Sequence, residues 1–580
     1  MASSFLANLL VESTYLPLET ATTIITMAGL FKWPPQATVN DGDCFDFIVI
    51  GSGVGAVIAN RLTENEDVRV LLIEAGKNPS VESMLPGLFI LLQNSYQDWN
   101  YVSEPEEATK NQQVGAYRTS AGKCLGGSSN INHFIHLRGD PCDFDSWAAY
   151  LKDESWSYKN VLPYFRKSET VQDEDILKYY ANFHGVDGPV IITRQPDDST
   201  RNIMESFEEI GVPSVLDLNT NNTVGFTESS FIIGNGRRQS TSQAYLNNLK
   251  RDNLYVLTET VAEKIIFEDN VAVGVILRLG SGEKITVYAN REVIVSAGTF
   301  NSPKLLMLSG IGPAEELQKF GIDVIKDLPV GKDMQDHFAV LLLNKLERSI
   351  EISQIPQLTR LAFPVLLGGI NLDGSKCCPD YQIIGLKFTH DTPYFLLTCT
   401  VLFGLKHEIC SKLNAETIGR NHLVTFIGAF HPESRGYVKL RSADPNDDPI
   451  ISQSFYSNAK DFDNMKKYVK HFLTVYNSSY FREINAEVAD PGLDECGEMS
   501  LDNEDYLECY IKGMTVTIFH QTSTCAMGSV VDSNMQVYGV ENLRVIDAST
   551  MPNITRANTL AASIMMAEKM SDVIKNKYNL

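Results

Sequence analysis

The chain lacks the surplus of cations that a nucleic-acid partner demands. Lys and Arg number 49 against 72 Asp and Glu, a formal net charge of −23 over 580 residues, whereas binding to a phosphate backbone rests on clustered Lys and Arg. Long hydrophobic runs are missing too. The strongest, "FLLTCTVLFGL" at 395–405, falls well short of the ~18 residues of a bilayer-spanning helix, so no membrane span is expected. Cysteine is sparse, ten in all with no Cys-x-x-Cys pair. That argues against a disulfide-built fold and a structural zinc site, and Cys377 and Cys378 are read as merely adjacent. The nearest thing to a metal pair, His133 and His136 in "NHFIHLRGD", has no third ligand at a recognisable spacing and is read as packing. No Lys or Arg precedes Lys32, and Glu12 and Glu19 interrupt the first apolar stretch, which makes a poor secretory signal. Sequons at Asn221, Asn477 and Asn553 are compatible with secretion, so localisation stays open.

Core-forming material is plentiful, with 43% hydrophobic residues, enough for several domains or one large interleaved body. The first clear element is "DFIVIGSGVGAVIANRLTENEDVRVLLIEAG", 46–76: an apolar β-branched run, a glycine turn, a helical pattern and a second apolar run ending in Glu74. That order predicts a βαβ unit. Gly51, Gly53 and Gly55 let the backbone turn and approach a pyrophosphate at a helix N-terminus, and Glu74 stands where a carboxylate accepts hydrogen bonds from a ribose. "REVIVSAG" at 291–298 and "ENLRVIDAST" at 541–550 read as further strands of the same sheet. The expected fold is therefore α/β, a discontinuous Rossmann-like domain interleaved with an α+β domain carrying an antiparallel sheet. The expected division is an N-terminal extension (1–43), a cofactor domain (44–150, 236–339 and 511–580) and a substrate domain (151–235 and 340–510).

Five further stretches accompany the βαβ unit in order: "GKCLGGSSNIN" (122–132), "GTFNSPKLLMLSGIG" (298–312), "LPVGKDMQDH" (328–337), "FHQTSTCAMG" (519–528) and "LRVIDASTMPNITRANT" (543–559). Asn301-Ser302-Pro303 reads as a helix start. Together these stretches closely resemble the glucose-methanol-choline family of flavin oxidoreductases over about residues 44–575, with the look of the insect branch that includes glucose dehydrogenases and ecdysone oxidases.

The resemblance implies FAD-dependent oxidation of an alcohol to a carbonyl, with hydride passing to flavin N5 and oxygen or a quinone as electron acceptor. It assigns His520 and Asn558 to the catalytic pair. A histidine near its ordinary pKa of ~6.5 accepts an alcohol proton at neutral pH, and an uncharged Asn binds the same oxygen. Asn558 has a second reading as the N-cap of the helix that "NTLAASIMMAEKMSDVI" predicts. The resemblance also places Trp99, Gly126, Ser128, Asn132, Val261, Asp547, Ala548, Asn558 and Thr559 against the cofactor. Ile131 stands where some members carry a histidine bonded to FAD, so noncovalent FAD is expected.

Departures from the family pattern are a glycine turn one residue short, so that the third glycine is Gly55 or is replaced by Ala56, and altered residues at His136, Ser523, Ala557, Leu560 and Ala562. Ecdysteroids or other bulky alcohols and sugars are the substrate classes implied. The apolar stretch 381–405 suits a steroid-sized cavity or ordinary core packing. A noncatalytic protein of the same fold and a nicotinamide dehydrogenase are the alternatives left open.

Overall fold

The computed structural model describes residues 31–350, 357–372, 374, 378–390, 392 and 394–580. The stretch on which the signal-peptide reading rests lies almost wholly outside them. β1 (Cys44–Ile50) leads through the glycine turn into α1 (Gly55–Leu62) and on to β2 (Val70–Ile73), which pairs parallel with β1. Phe47 to Ile50 are buried on both faces, which is why this strand reads as a continuous apolar run rather than an alternating one.

Two seven-stranded sheets carry the molecule. In the first, Leu254–Leu257, β2, β1, Lys284–Val295, Val271–Arg278 and Val261–Glu268 lie side by side, and Leu543–Val545 joins Lys284–Val295. The long strand Lys284–Val295 does two jobs. Its first half forms an antiparallel hairpin with Val271–Arg278, and its last residues pair parallel with both β1 and Leu543–Val545. The second sheet is antiparallel throughout: Glu487–Val488, Phe338–Arg348, Arg420–Ala429, Tyr381–Phe388, Val365–Ile370 and Gly225–Glu228, with Thr515–Thr517 on Phe338–Val340. The expected α/β class with an interleaved antiparallel sheet is the one observed. Among the described residues no helix is long and apolar enough to cross a membrane.

Three local expectations are corrected. The helix read as starting at Asn301-Ser302-Pro303 begins at Gly298. Pro303 cannot donate to the Thr299 carbonyl one turn back, and the Thr524 hydroxyl fills that vacancy at 2.7 Å. In the C-terminal helix, Leu560–Tyr578, the N-cap position falls on Thr559, whose side chain makes no capping bond, so Asn558 is not its N-cap. Cysteine does more than its scarcity suggests, because disulfides join Cys142 to Cys378, Cys399 to Cys410 and Cys496 to Cys509. They are staples on a fold that already buries a large core, and Cys378 is bonded across 236 residues rather than merely neighbouring Cys377. Asp140, Cys142 and Cys378 cluster at metal-ligand distances, but the two sulfurs are spent on each other.

Candidate active site

The glycine turn is the floor of a cavity of about 820 Å³, within the range of ~300–1,000 Å³ typical of cofactor and ligand sites. Gly51 has φ +91°, and a Cβ there would lie 2.3 Å from the Ser296 carbonyl oxygen, so no other residue fits. A Cβ on Gly53 would meet nothing within 4 Å, and Gly127 faces the Gly53 Cα so closely that its own Cβ would lie 3.1 Å away. Two backbones thus come together with no side chain between them. Gly55 points the other way: its Cβ would press on Val49 and Ser296. The close strand–helix packing of a third glycine therefore belongs to Gly55 and not to Ala56, despite the shortened turn. At the end of β2 the buried Glu74 carboxylate accepts hydrogen bonds from the Ser52 amide and hydroxyl and from the Gly76 amide, while burial raises its pKa.

Across the cavity, Ile518, Phe519, His520 and Gln521 all contribute to one wall. A regular strand would send alternate side chains to opposite faces. Phe519 breaks that alternation with φ +64°, a left-handed conformation that costs of order 1–3 kcal/mol in a bulky residue and concentrates at functional sites. His520 is held from below. The pairing of Thr515–Thr517 with Phe338–Val340 brings Asp336 and His337 beside it. Asp336 accepts from the His520 amide at 2.8 Å, from the Thr517 hydroxyl at 2.6 Å and from the Gln521 side chain at 2.8 Å.

Hydrogen bonding fixes the His520 tautomer. His337 Nε2 lies 3.1 Å from the Phe430 carbonyl, which can only accept, so Nε2 carries the proton of a neutral His337. His337 Nδ1 is then an acceptor, and its partner at 2.9 Å, His520 Nδ1, must donate. The remaining nitrogen, His520 Nε2, bears a lone pair and sits 3.1 Å from the Asn558 amide nitrogen. The ordinary pKa expected from the sequence is corrected here: burial, then the proximity of His133, lowers His520 to about 3. His337 is likewise held well below its usual value by burial. His520 is therefore an uncharged base throughout the neutral range, with the unprotonated Nε2 facing the Asn558 amide at the cavity wall.

Gly51, Gly53, Glu74, Trp99, Ser128, Asn132, Val261, Asp547, Ala548, Thr559, His520 and Asn558 all border this one cavity. Gly55 and Gly126 do not. Gly126 has φ +98° and donates its amide to the Ser52 hydroxyl, supporting the floor from behind. Asp547 turns its carboxylate to the Gly298 amide and the Ser302 hydroxyl, leaving backbone for the cavity. Among the altered positions, Ser523 adopts φ +74° and its hydroxyl oxygen accepts from the Gln335 side-chain amide, and Leu560 reaches the cavity wall. His136 is not a simple packing residue, since it pairs with the buried Glu169; His133, also read as packing, lines the cavity. His337 and Asp336 lie in a stretch quoted for the resemblance, but no local signal in the sequence joins them to a histidine 183 residues on.

The cavity fits a dinucleotide flavin. The bare Gly53–Gly127 cradle suits a pyrophosphate, Glu74 a ribose, and the buried Ser296 hydroxyl and Asn558 carbonyl oxygen bordering it have no protein partner.

Comparison with known proteins identifies the family. The profile of the GMC oxidoreductase family matches residues 45–339 and 432–567. The chain is similar to an ecdysone oxidase of Spodoptera littoralis, 36% identical with 94% of each chain covered, and to that of Bombyx mori, 35% identical with 94% of this chain and 84% of the relative covered. Among solved structures it is similar to a formate oxidase from Aspergillus oryzae, with TM-score 0.80 and 25% identity over 93% of this chain and 100% of the other.

Proposed function

Because the chain belongs to the GMC oxidoreductase family and is an FAD-dependent enzyme oxidising an alcohol to a carbonyl, we propose that its alcohol is a bulky, largely apolar one of the ecdysteroid class and that His520 takes the hydroxyl proton. One observation carries the substrate reading: the wall around the His520–Asn558 pair includes Phe89, Phe363, Leu386, Phe403, Phe426 and Ile518. A sugar would leave hydroxyls without partners against such carbon surfaces, at about 1–3 kcal/mol for each unsatisfied group. A polycyclic alcohol gains about 25 cal/mol for each Å² it buries there. The relatives named ecdysone oxidases support the same class.

His520 Nε2 and the Asn558 amide nitrogen are hydrogen-bonded to each other at 3.1 Å and both residues border the cavity, and on our reading the reacting oxygen docks against this pair. An alcohol docking there takes over the Asn558 hydrogen bond from Nε2, accepting the amide hydrogen on its oxygen, and offers its own proton to the lone pair so released. His337 keeps the His520 proton on Nδ1, so Nε2 stays unprotonated. FAD, when bound, supplies the two-electron acceptor that receives the hydride. We read the flavin as noncovalent, since Ile131 offers no nucleophile and His133 Nε2 is engaged by Gln93. The division into a cofactor body and a substrate body is part of the same proposal. The piece 511–580, however, lends Thr515–Thr517 to the antiparallel sheet.

Anaerobic mixing of the yellow holoenzyme with steroid alcohols, sugars and simple alcohols tests the reading. Steroid alcohols should bleach the flavin fastest; preferential bleaching by glucose would replace the substrate class. Re-oxidation with oxygen or a quinone then identifies the acceptor, and acid precipitation should leave flavin in the supernatant.

A further inference from the structure

His133 stands in the cavity wall, edge-on to the rings of Phe89 and Phe519 with centroids 5.3 and 6.1 Å away. Its Nε2 lies 3.1 Å from the side-chain nitrogen of Gln93, a residue 5% exposed. The same Gln93 nitrogen donates to the Ile131 carbonyl at 2.9 Å. That second bond fixes the amide's orientation, because only the nitrogen can serve a carbonyl. Gln93 therefore presents N–H to the ring, and His133 Nε2 is an acceptor. Burial, reinforced by the Arg238 cation, lowers His133 to about 4, so at neutral pH the ring holds one proton, on Nδ1. Among the described residues Nδ1 has no protein partner, and it is not sealed away from the cavity. An oriented N–H donor is left unspent among phenylalanine rings.

We propose that His133 Nδ1–H donates to a second oxygen of the substrate, a hydroxyl or carbonyl apart from the one being oxidised, and so selects bulky alcohols that carry a further oxygen function. This rests on the reading of the cavity as a site for a bulky alcohol. Asn558 and His520 serve the reacting oxygen; His133 would set the register of the ring system against them. Gln93 acts through His133 as a positioning residue, holding its proton on Nδ1.

The test uses FAD-loaded enzyme and pairs of steroid secondary alcohols, matched except for one additional hydroxyl, with kcat/KM for anaerobic flavin reduction as the readout. The parent should favour one oxygenated member over its partner by about 10-fold, the scale of one well-placed hydrogen bond. His133→Phe should bring that ratio close to one whatever it does to absolute rates, and His133→Gln, which keeps a donor, should restore part of it. Gln93→Leu frees Nε2 to take the proton and should weaken the ratio without removing the ring. A parent ratio near one for every pair, or an unchanged ratio in His133→Phe, overturns the inference while leaving alcohol oxidation intact. Failure of every steroid alcohol to reduce the parent flavin would instead overturn the substrate reading on which it rests. Should His133→Phe not retain flavin, the parent ratio and the Gln93→Leu comparison decide.

Discussion

His520 and His184 are both nearly sealed from solvent, at 7% and 3% exposure, and their neighbours hold them in opposite states. His520 meets another histidine and an amide, so burial empties it of charge. His184 lies between Glu169 and Asp217, each 2.9 Å from one ring nitrogen, in a cluster that also holds Arg138 and His136. Carboxylates can only accept, so both nitrogens there carry protons, and the pKa is raised despite burial. Glu169 is correspondingly held well below the usual carboxylate range once Arg138 and the two histidines offset its burial. Burial alone does not set a histidine's charge; the partners choose between an uncharged base and a structural cation.

The comparison breaks most visibly at the base. His520→Ala should retain FAD, read from its absorbance, yet slow flavin reduction by the alcohol about 10²–10⁴-fold if the general-base contribution is lost. Glu169→Gln should do the reverse, costing about 3–5 kcal/mol of stability in denaturant titrations because it strips the anion from a buried charged cluster, while folded enzyme keeps its turnover. His184 sharpens that contrast through pH. A raised folded-state pKa means its stabilisation is complete below the unfolded value of ~6.5 and is lost as pH climbs through the folded value. The parent's melting temperature should therefore carry an alkaline decline that His184→Gln lacks.

Smaller effects are expected where hydrogen bonds rather than charges are removed. His337→Phe releases the His520 proton to either nitrogen and should slow flavin reduction by about 10-fold, the scale of about 1.4 kcal/mol. Asn558→Ala removes one neutral hydrogen bond to the reacting oxygen, worth about 0.5–1.5 kcal/mol, and should slow reduction roughly 2- to 12-fold. Stopped-flow traces of both variants check the order.

Most of the fold was legible because local pattern and tertiary role coincide in it. The run Phe47 to Ile50, the glycines after it and the acid at Glu74 each need only their own neighbourhood to be read. The site was half legible. His520 and Asn558 were found by resemblance, but the partner that fixes the tautomer comes from pairing a strand with another whose residues lie far away in sequence. His133 looked like packing because its function depends on which way the Gln93 amide faces. The disulfide between Cys142 and Cys378 was invisible for the same reason, a separation of 236 residues with no spacing rule to bridge it.

The central claim is that His520 works as an uncharged base, and the pH dependence of single-turnover flavin reduction tests it most directly. With His520 lowered to about 3, its contribution should be flat from about pH 5 to 9, well above that ionisation. His520→Ala should be slower throughout and rise with pH, because the alcohol must then lose its proton to solvent. A step shared by both proteins near pH 7 would belong to Asp336, which burial raises to about 7 against the hydrogen bonds it accepts. A limb near pH 6.5 that is present in the parent and absent from His520→Ala would show a histidine titrating as in water, and would contradict the account.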